Sequence, residues 1–353
     1  MIDRRRLVLI IVSAVTAVSL ASCATSLPSA QPSPATGPPA SEAPGGEAPS
    51  GEITLYTSEP ENKITEVIQA FNEDYPDVTV NLYRAATGEL TARIASEQEA
   101  GGVRADVLLA ADAPTFEKFK VQNLLAKFVP QEAKNLLPSV VDPQGYYVGT
   151  RIIPTIIAYN TNMTVARPTS WKDLTDPIYR GKIAMPNPDV SGAAAFNTAL
   201  WLDTPSLGEP WLKALVANDP SVLQSNGPVS QAIAEGQPPL GIVVDYLVRD
   251  LAAKGSPIGT IYPSEGVPYI SQPAAVFESS ANKPAAEAFV SFLISEKGQK
   301  LAVAQNYLPV REDVGTPKGA VPLSELTLLE PDIASIAAKQ DAAVKLFNSL
   351  LDG

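Results

Sequence analysis

Asp245 and Tyr246 stand side by side at the end of the apolar run Leu240 to Val244. A carboxylate beside a phenol can accept and donate hydrogen bonds at one spot. Ile242, Val243 and Val244 are β-branched and follow the turn-formers Pro238 and Pro239, which predicts a short buried strand of a parallel sheet, with a helix over Leu247 to Lys254 after it. In open α/β sheets ligands bind beyond the carboxyl ends of the strands, so both residues are candidates for the floor of a ligand site. The competing reading of Asp245 is a cap on the helix that follows. Two further places suit an anion: Ser191 and Gly192 precede a helix expected over Ala193 to Leu202, and Asn226 precedes one beginning near Val229. Unpaired N–H groups and the macrodipole at a helix N-terminus favour negative charge there. Simple capping by Ser191 is the alternative.

These residues need a scaffold, and the chain supplies alternating strands and helices. Glu52 to Tyr56 alternates as a strand does, and a polar turn then opens a helix from Lys63 to about Tyr75 with Ile64, Val67, Ile68 and Phe71 on one face. Val78 to Tyr83 and Ala105 to Leu109 read as further strands, separated by a helix that runs through Glu99. The pattern predicts βαβ units, whose turns line one edge of a crevice if the strands are parallel neighbours. A last amphipathic helix, about Pro331 to Leu351, carries Ile333, Ile336, Val344, Phe347 and Leu351 on one stripe and is expected to pack on the body.

Composition bounds the rest. Arg4, Arg5 and Arg6 precede an apolar run from Leu7 to Leu20 and the small residues Ala21 and Ser22, the order of an export signal and too short for an ordinary membrane span. The only cysteine, Cys23, follows at once, and Leu-Ala-Ser-Cys resembles the lipobox of bacterial lipoproteins, whose cysteine is acylated. Residues 24–51 hold seven prolines and only two charged residues, Glu42 and Glu47. Such a segment cannot bury enough apolar surface to order itself and is expected to serve as a tether reaching on the order of 30 Å. Without residues 1–22 the chain has 23 basic and 37 acidic residues, a net charge of −14, which argues against nucleic acid and against direct adhesion to anionic membrane. The absence of histidine and of a second cysteine excludes Ser-His-Asp, Cys-His and histidine-metal chemistry and any intrachain disulfide. No pair of acids stands out for a carboxylate-pair hydrolase.

The turn at Thr87, Gly88 and Glu89, the Ala105 to Val107 strand, Tyr147 to Asn160, Trp171 to Leu174, Tyr179 to Lys182 and the segment Pro284 to Val314 occur in one order. In that order they resemble the periplasmic solute-binding proteins of ABC importers, within the branch typified by ferric-ion binding proteins, over essentially everything after the tether. The resemblance implies an α/β, two-lobed periplasmic-binding-protein-like fold, each lobe a mostly parallel sheet flanked by helices with a hinged cleft between. Residues 1–22 would be the signal peptide, 23–51 the lipid-anchored tether, 52–150 with 270–353 one lobe, and 151–269 the other. Hinges are expected near Tyr147 to Pro154 and Thr260 to Ser271. It further implies a monomer without cofactor or catalysis, held to the outer face of the cytoplasmic membrane through Cys23. Such a protein captures a small anionic solute by lobe closure and delivers it to permease subunits.

By the same resemblance Ser191, Gly192 and Asn226 match residues that hold a phosphate-like anion, Thr57, Ser58, Thr87 and Gly88 are the first-lobe contacts, and Asp245 and Tyr246 the second-lobe ones. The iron-binding part of the pattern is not kept. Leu247 follows Tyr246 where relatives have a second tyrosine, Pro60 and Ala111 fall near the places of a histidine and a glutamate, and only Asp112, Asp245 and Glu265 remain as oxygen donors. The solute implied is a phosphonate or organophosphate such as 2-aminoethylphosphonate, with Tyr246 donating to a phosphoryl oxygen, Asp245 accepting from an ammonium and Arg84 or Arg151 neutralising charge. The alternative is the ferric-iron binding protein of an Fe(III) importer with Tyr246 as a ligand. A secreted hydrolase and a structural surface lipoprotein are the remaining classes, and no motif or repeat supports either.

Overall fold

The computed structural model describes residues 48–164 and 166–352. The leader, Cys23 and the tether as far as Glu47 lie outside the described residues. Gly51, read as the end of the tether, opens the first strand.

The chain alternates as expected through β1 (Gly51–Thr57), α1 (Glu61–Asp74), β2 (Val78–Arg84), α2 (Thr87–Glu99), β3 (Val107–Leu109) and α3 (Ala113–Val121). β1 pairs in parallel with both β2 and β3, which sets the turns after all three strands along one edge. α1 buries Ile64, Val67 and Phe71, apolar residues three and four apart that form one helical face. After β4 (Val148–Gly149) the chain crosses into a second sheet with β5 (Ile153–Asn160), whose run IPTIIAYN is almost wholly buried. There follow β6 (Ile183–Pro186), α4 (Gly192–Asp203), α5 (Gly208–Ala217), β7 (Ser221–Leu223), α6 (Asn226–Glu235), β8 (Leu240–Val244), α7 (Asp245–Ala253), β9 (Ile258–Ile261) and β10 (Tyr269–Ile270). The chain then returns to the first sheet as β11 (Pro273–Val276) and ends in α8 (Lys283–Ile294), α9 (Glu296–Ala304) and α10 (Ile333–Asp352).

The first sheet has the order β2-β1-β3-β11-β4, and the second β10-β5-β8-β6-β7 with β9 beside β5. Two lobes of α/β type result, but their sheets are mixed rather than mostly parallel. β11 runs antiparallel to β3, and β5 antiparallel to β8. The crossings explain this: a strand that enters its sheet from the cleft side must run opposite to neighbours whose carboxyl ends point at the cleft. The crossings themselves are short. Thr150 N–H donates to Ser271 O at 3.0 Å and Thr150 Oγ1 to Gln272 O at 2.8 Å.

The second lobe is centred on three tryptophans, Trp171, Trp201 and Trp211, with ring centroids 5.2 to 6.5 Å apart. α10, expected with the first lobe, lies across both, packing on α4 and α5 of the second and α3 of the first. Its buried stripe is Ile336, Gln340, Ala343 and Phe347, spaced four, three and four as a helix face requires, whereas Leu351 is exposed. Phe347 enters the tryptophan core, a burial worth about 1.5–3 kcal/mol. No helix among the described residues is long and apolar enough to cross a membrane.

Candidate functional site

Between the lobes lies a cleft of about 560 Å³. Four helices begin at its wall: α2 brings Thr87, α4 brings Ser191, Gly192 and Ala193, α6 brings Asn226 and Gly227, and α7 brings Tyr246 and Leu247. The first-turn N–H groups of each, of which α6 has one fewer because of Pro228, have no acceptor inside the helix, and the helix dipoles add positive potential at those ends. Ser191 is the N-cap of α4, its Oγ accepting from Ala194 N–H at 3.3 Å. Asn226 ties the second lobe's part of the wall together, since its Nδ2 donates to Ser191 Oγ at 3.2 Å and its Oδ1 accepts from Val244 N–H at 3.2 Å. α6 begins at Asn226 itself rather than near Val229. Pro228 is no obstacle there, because the first turn needs no N–H from it. On the first-lobe side, Arg84 lines the cleft with its Nε donating to Glu59 O at 3.0 Å.

The strand β8 stops at Val244, and α7 starts at once with Asp245. Consecutive residues on a helix point about 100° apart, so the neighbours face different ways. Tyr246 lines the cleft. Asp245 does not: it is buried and paired with Arg249, one turn on, at 2.5 Å. The cap reading of Asp245 does not describe it either, since Val244 is the N-cap residue and no side chain caps this end. Burial pushes the Tyr246 phenol well up, and the nearby Glu59 charge adds to this, so the hydroxyl keeps its proton at neutral pH.

Glu59, which sequence reasoning passed over, is the centre of the cleft floor. It is 1 % exposed. Its Oε1 accepts from Arg151 Nη1 at 3.0 Å and from Tyr307 OH at 2.6 Å, and its Oε2 from Gln272 Nε2 at 2.7 Å. Arg151 and Gln272 sit on the two crossings between the lobes, so one carboxylate holds both. Arg151, expected near a ligand, is spent on this contact and lies outside the cleft lining. The only signals for Glu59 were its place at a strand end and before a proline. Tyr307 gave none beyond belonging to the Pro284 to Val314 segment.

Of the expected contacts, Ser58, Thr87, Ser191, Gly192, Asn226 and Tyr246 line the cleft, and Thr57, Gly88 and Asp245 do not. Thr57 is fully buried with its Oγ1 accepting from Glu59 N–H at 3.1 Å. Gly88 is a contact between lobes, its N–H donating to Val190 O at 3.3 Å. Gly192 packs nearby, where an added Cβ would lie 2.4 Å from Asp112 Oδ2 and 2.9 Å from Thr87 Cγ2. Asp112 caps α3, and burial raises its carboxyl. Glu265 accepts from the N–H groups of Trp171 and Lys172, both at 3.0 Å, away from the cleft.

A second tyrosine does stand beside Tyr246, though not in sequence: the Tyr307 ring centroid is 4.4 Å away. Lys63 Nζ lies 4.9 and 4.8 Å from the two ring centroids, and the Arg151 guanidinium 4.5 Å from that of Tyr307. No group of three or more histidine, cysteine, aspartate or glutamate side chains suited to a metal occurs among the described residues.

Two α/β lobes joined by short crossings, with helix N-termini facing a cleft between them, define a two-lobed binding protein of the periplasmic type. The chain belongs to the bacterial extracellular solute-binding protein family, whose profile matches residues 104–333. It is 25% identical over 304 residues to an Fe(3+)-binding periplasmic protein of Serratia marcescens, covering 82% of this chain and 87% of that one. It is 23% identical over 256 residues to a putative 2-aminoethylphosphonate-binding periplasmic protein of Salmonella typhimurium, covering 67% and 71%. Its fold matches that of the periplasmic binding protein AfuA of Actinobacillus pleuropneumoniae, solved with fructose-6-phosphate bound, with a TM-score of 0.76 at 23% identity over 85% of this chain and 98% of that one. As a member of that family the protein is an extracellular solute-binding protein rather than an enzyme.

Proposed function

We propose that the cargo is a small organic solute carrying a phosphate or phosphonate group, captured by closure of the lobes and handed to the permease. The observation that carries this reading is the convergence of the N-termini of α2, α4, α6 and α7 on one cleft, together with Arg84. Arg84 has no carboxylate within ion-pair distance among the described residues, and only its Nε is engaged. A guanidinium with spare donors binds a phosphorus oxyanion well, and it needs no net positive charge on the molecule, because the local field of the cleft governs binding.

Ferric iron is the second reading, favoured by the name of the Serratia relative and by the Tyr246 and Tyr307 pair. Against it, two cationic side chains flank the rings, and Glu59 is already held by three donors. A trivalent cation would have to displace those donors and tolerate that repulsion.

Calorimetric titration with inorganic phosphate, 2-aminoethylphosphonate, sugar phosphates, thiamine and ferric citrate separates the two. A phosphorus compound is expected to bind, and Asn226→Ala or Arg84→Met to weaken it about tenfold, the worth of a charge-assisted hydrogen bond. Tight ferric binding with a visible tyrosinate-to-iron charge-transfer band would overturn the reading.

The anchoring of the body through an acylated Cys23 belongs to the same proposal and rests on the Leu-Ala-Ser-Cys sequence. Cys23→Ser is expected to release the protein from the membrane fraction, and retention of the variant there would contradict it.

A further inference from the structure

The walls of the cleft present donors, but its floor holds one acceptor without a donor and another with a lone-pair site to spare. Gln272 lines the cleft and is 3 % exposed. Its Nε2 donates to Glu59 Oε2, and since a carboxylate only accepts, this contact fixes which way the amide is turned. Its Oε1 is left buried and without a hydrogen-bond partner among the described residues. Beside it, Glu59 Oε2 receives that one donor only, so a lone-pair site is open there as well. A buried acceptor without a donor is a standing cost to the fold, and in a binding cleft the missing donor is what a ligand brings.

Charge decides which kind of donor fits. Glu59 is balanced by Arg151 at 3.0 Å and Lys63 by Asp250 at 2.9 Å. The other carboxylate in the lining, Glu89, is exposed on the first turn of α2, where water screens it. An ammonium buried on this floor would lose its hydration without meeting net negative charge, whereas a neutral hydroxyl meets the same acceptors at far less cost. Asp245, the carboxylate that the sequence reading paired with an ammonium, faces Arg249 instead.

We propose that the solute is a hydroxyl-bearing organophosphate of the sugar- or polyol-phosphate class. Its phosphate lies at the N-termini of α4 and α6, and a hydroxyl donates to Gln272 Oε1 and Glu59 Oε2. This inference rests on the reading of the cleft as a phosphorus-oxyanion site and narrows it.

The test is calorimetric titration of the purified protein with fructose 6-phosphate, glycerol 3-phosphate, ethyl phosphate, 2-aminoethylphosphonate and inorganic phosphate. A hydroxylated phosphate is expected to bind about tenfold or more tighter than ethyl phosphate and 2-aminoethylphosphonate, the worth of one or two net hydrogen bonds. Gln272→Leu is expected to cost the hydroxylated ligand about tenfold more than it costs inorganic phosphate. The ligand series decides by itself should that variant fail to fold. Binding of 2-aminoethylphosphonate or ethyl phosphate as tight as that of the hydroxylated phosphates overturns this inference alone. If no phosphorus compound binds, the reading beneath it falls too.

Discussion

Burial raises the Asp245 carboxyl from its ordinary value of 3.8 to about 6, with the charge and hydrogen bond of Arg249 opposing the rise. Below the ordinary value both the folded and the unfolded chain hold the proton. Between 3.8 and about 6 the unfolded chain has released it and the folded chain has not, so this group's contribution to stability falls as pH rises through that window. Asp245→Asn imitates the protonated carboxyl and is expected to gain on the native protein between pH 4 and pH 6, about the window set by these values, then to run parallel above it. Thermal melts across that range measure the gap, and a gap that stays constant would show that the group titrates normally. The same pair of residues shows what a sequence can tell. The abrupt change from apolar Val244 to Asp245 and Tyr246 pointed to a candidate ligand site, and Tyr246 does line the cleft. Which of the two neighbours would face it depended on α7 starting without a turn, one residue of phase that side-chain type does not encode. Glu59 was hidden for the opposite reason: its partners Arg151, Gln272 and Tyr307 are 92, 213 and 248 residues away in the chain, so no local pattern announces it.

At the scale of elements, α2 meets the turn before α4 with no room for a side chain between them. A Cβ added to Gly88 would lie 2.5 Å from Asp189 O, a backbone atom with little freedom to move. Alanine is the better helix former by up to about 1 kcal/mol, so Gly88→Ala is expected to leave the melting temperature of the unliganded protein unchanged or higher. The same methyl holds the lobes apart and is expected to weaken solute binding several-fold or more, about the effect of losing a good part of the polar shell. Calorimetry and a melt on one preparation check both halves, and undiminished affinity would show that this contact is not part of closure. The helix and strand assignments that position the site were legible because each amphipathic face repeats locally, as Ile64, Val67 and Phe71 do on α1. The mixed sheets and the bridging position of α10 were not, because they follow from where the chain crosses between lobes. Nothing in the stripe of α10 says which lobe Phe347 will enter.

For the whole molecule, the bulk charge misleads and the local arrangement decides. An acidic body of net charge −14 beyond the leader carries a cleft whose walls are helix N-termini and an arginine without an ion-pair partner among the described residues. Besides the Gly88 contact and α10, the lobes are joined by a chain of polar groups from Lys63 and Asp250 through the two tyrosines to Glu59, Arg151 and the crossings. Under the proposed function, a solute seated on that floor touches the residues that join the lobes, and its binding is expected to favour the closed form. The central claim, that the cleft holds a phosphorus oxyanion at its helix N-termini, is tested most directly by the crystal structure of the protein grown with fructose 6-phosphate and ferric citrate together. The phosphate is expected within hydrogen-bond distance of the N–H groups at the starts of α4 and α6 and of Arg84. A ferric ion bound by Tyr246, with those N–H groups left to water, would contradict it.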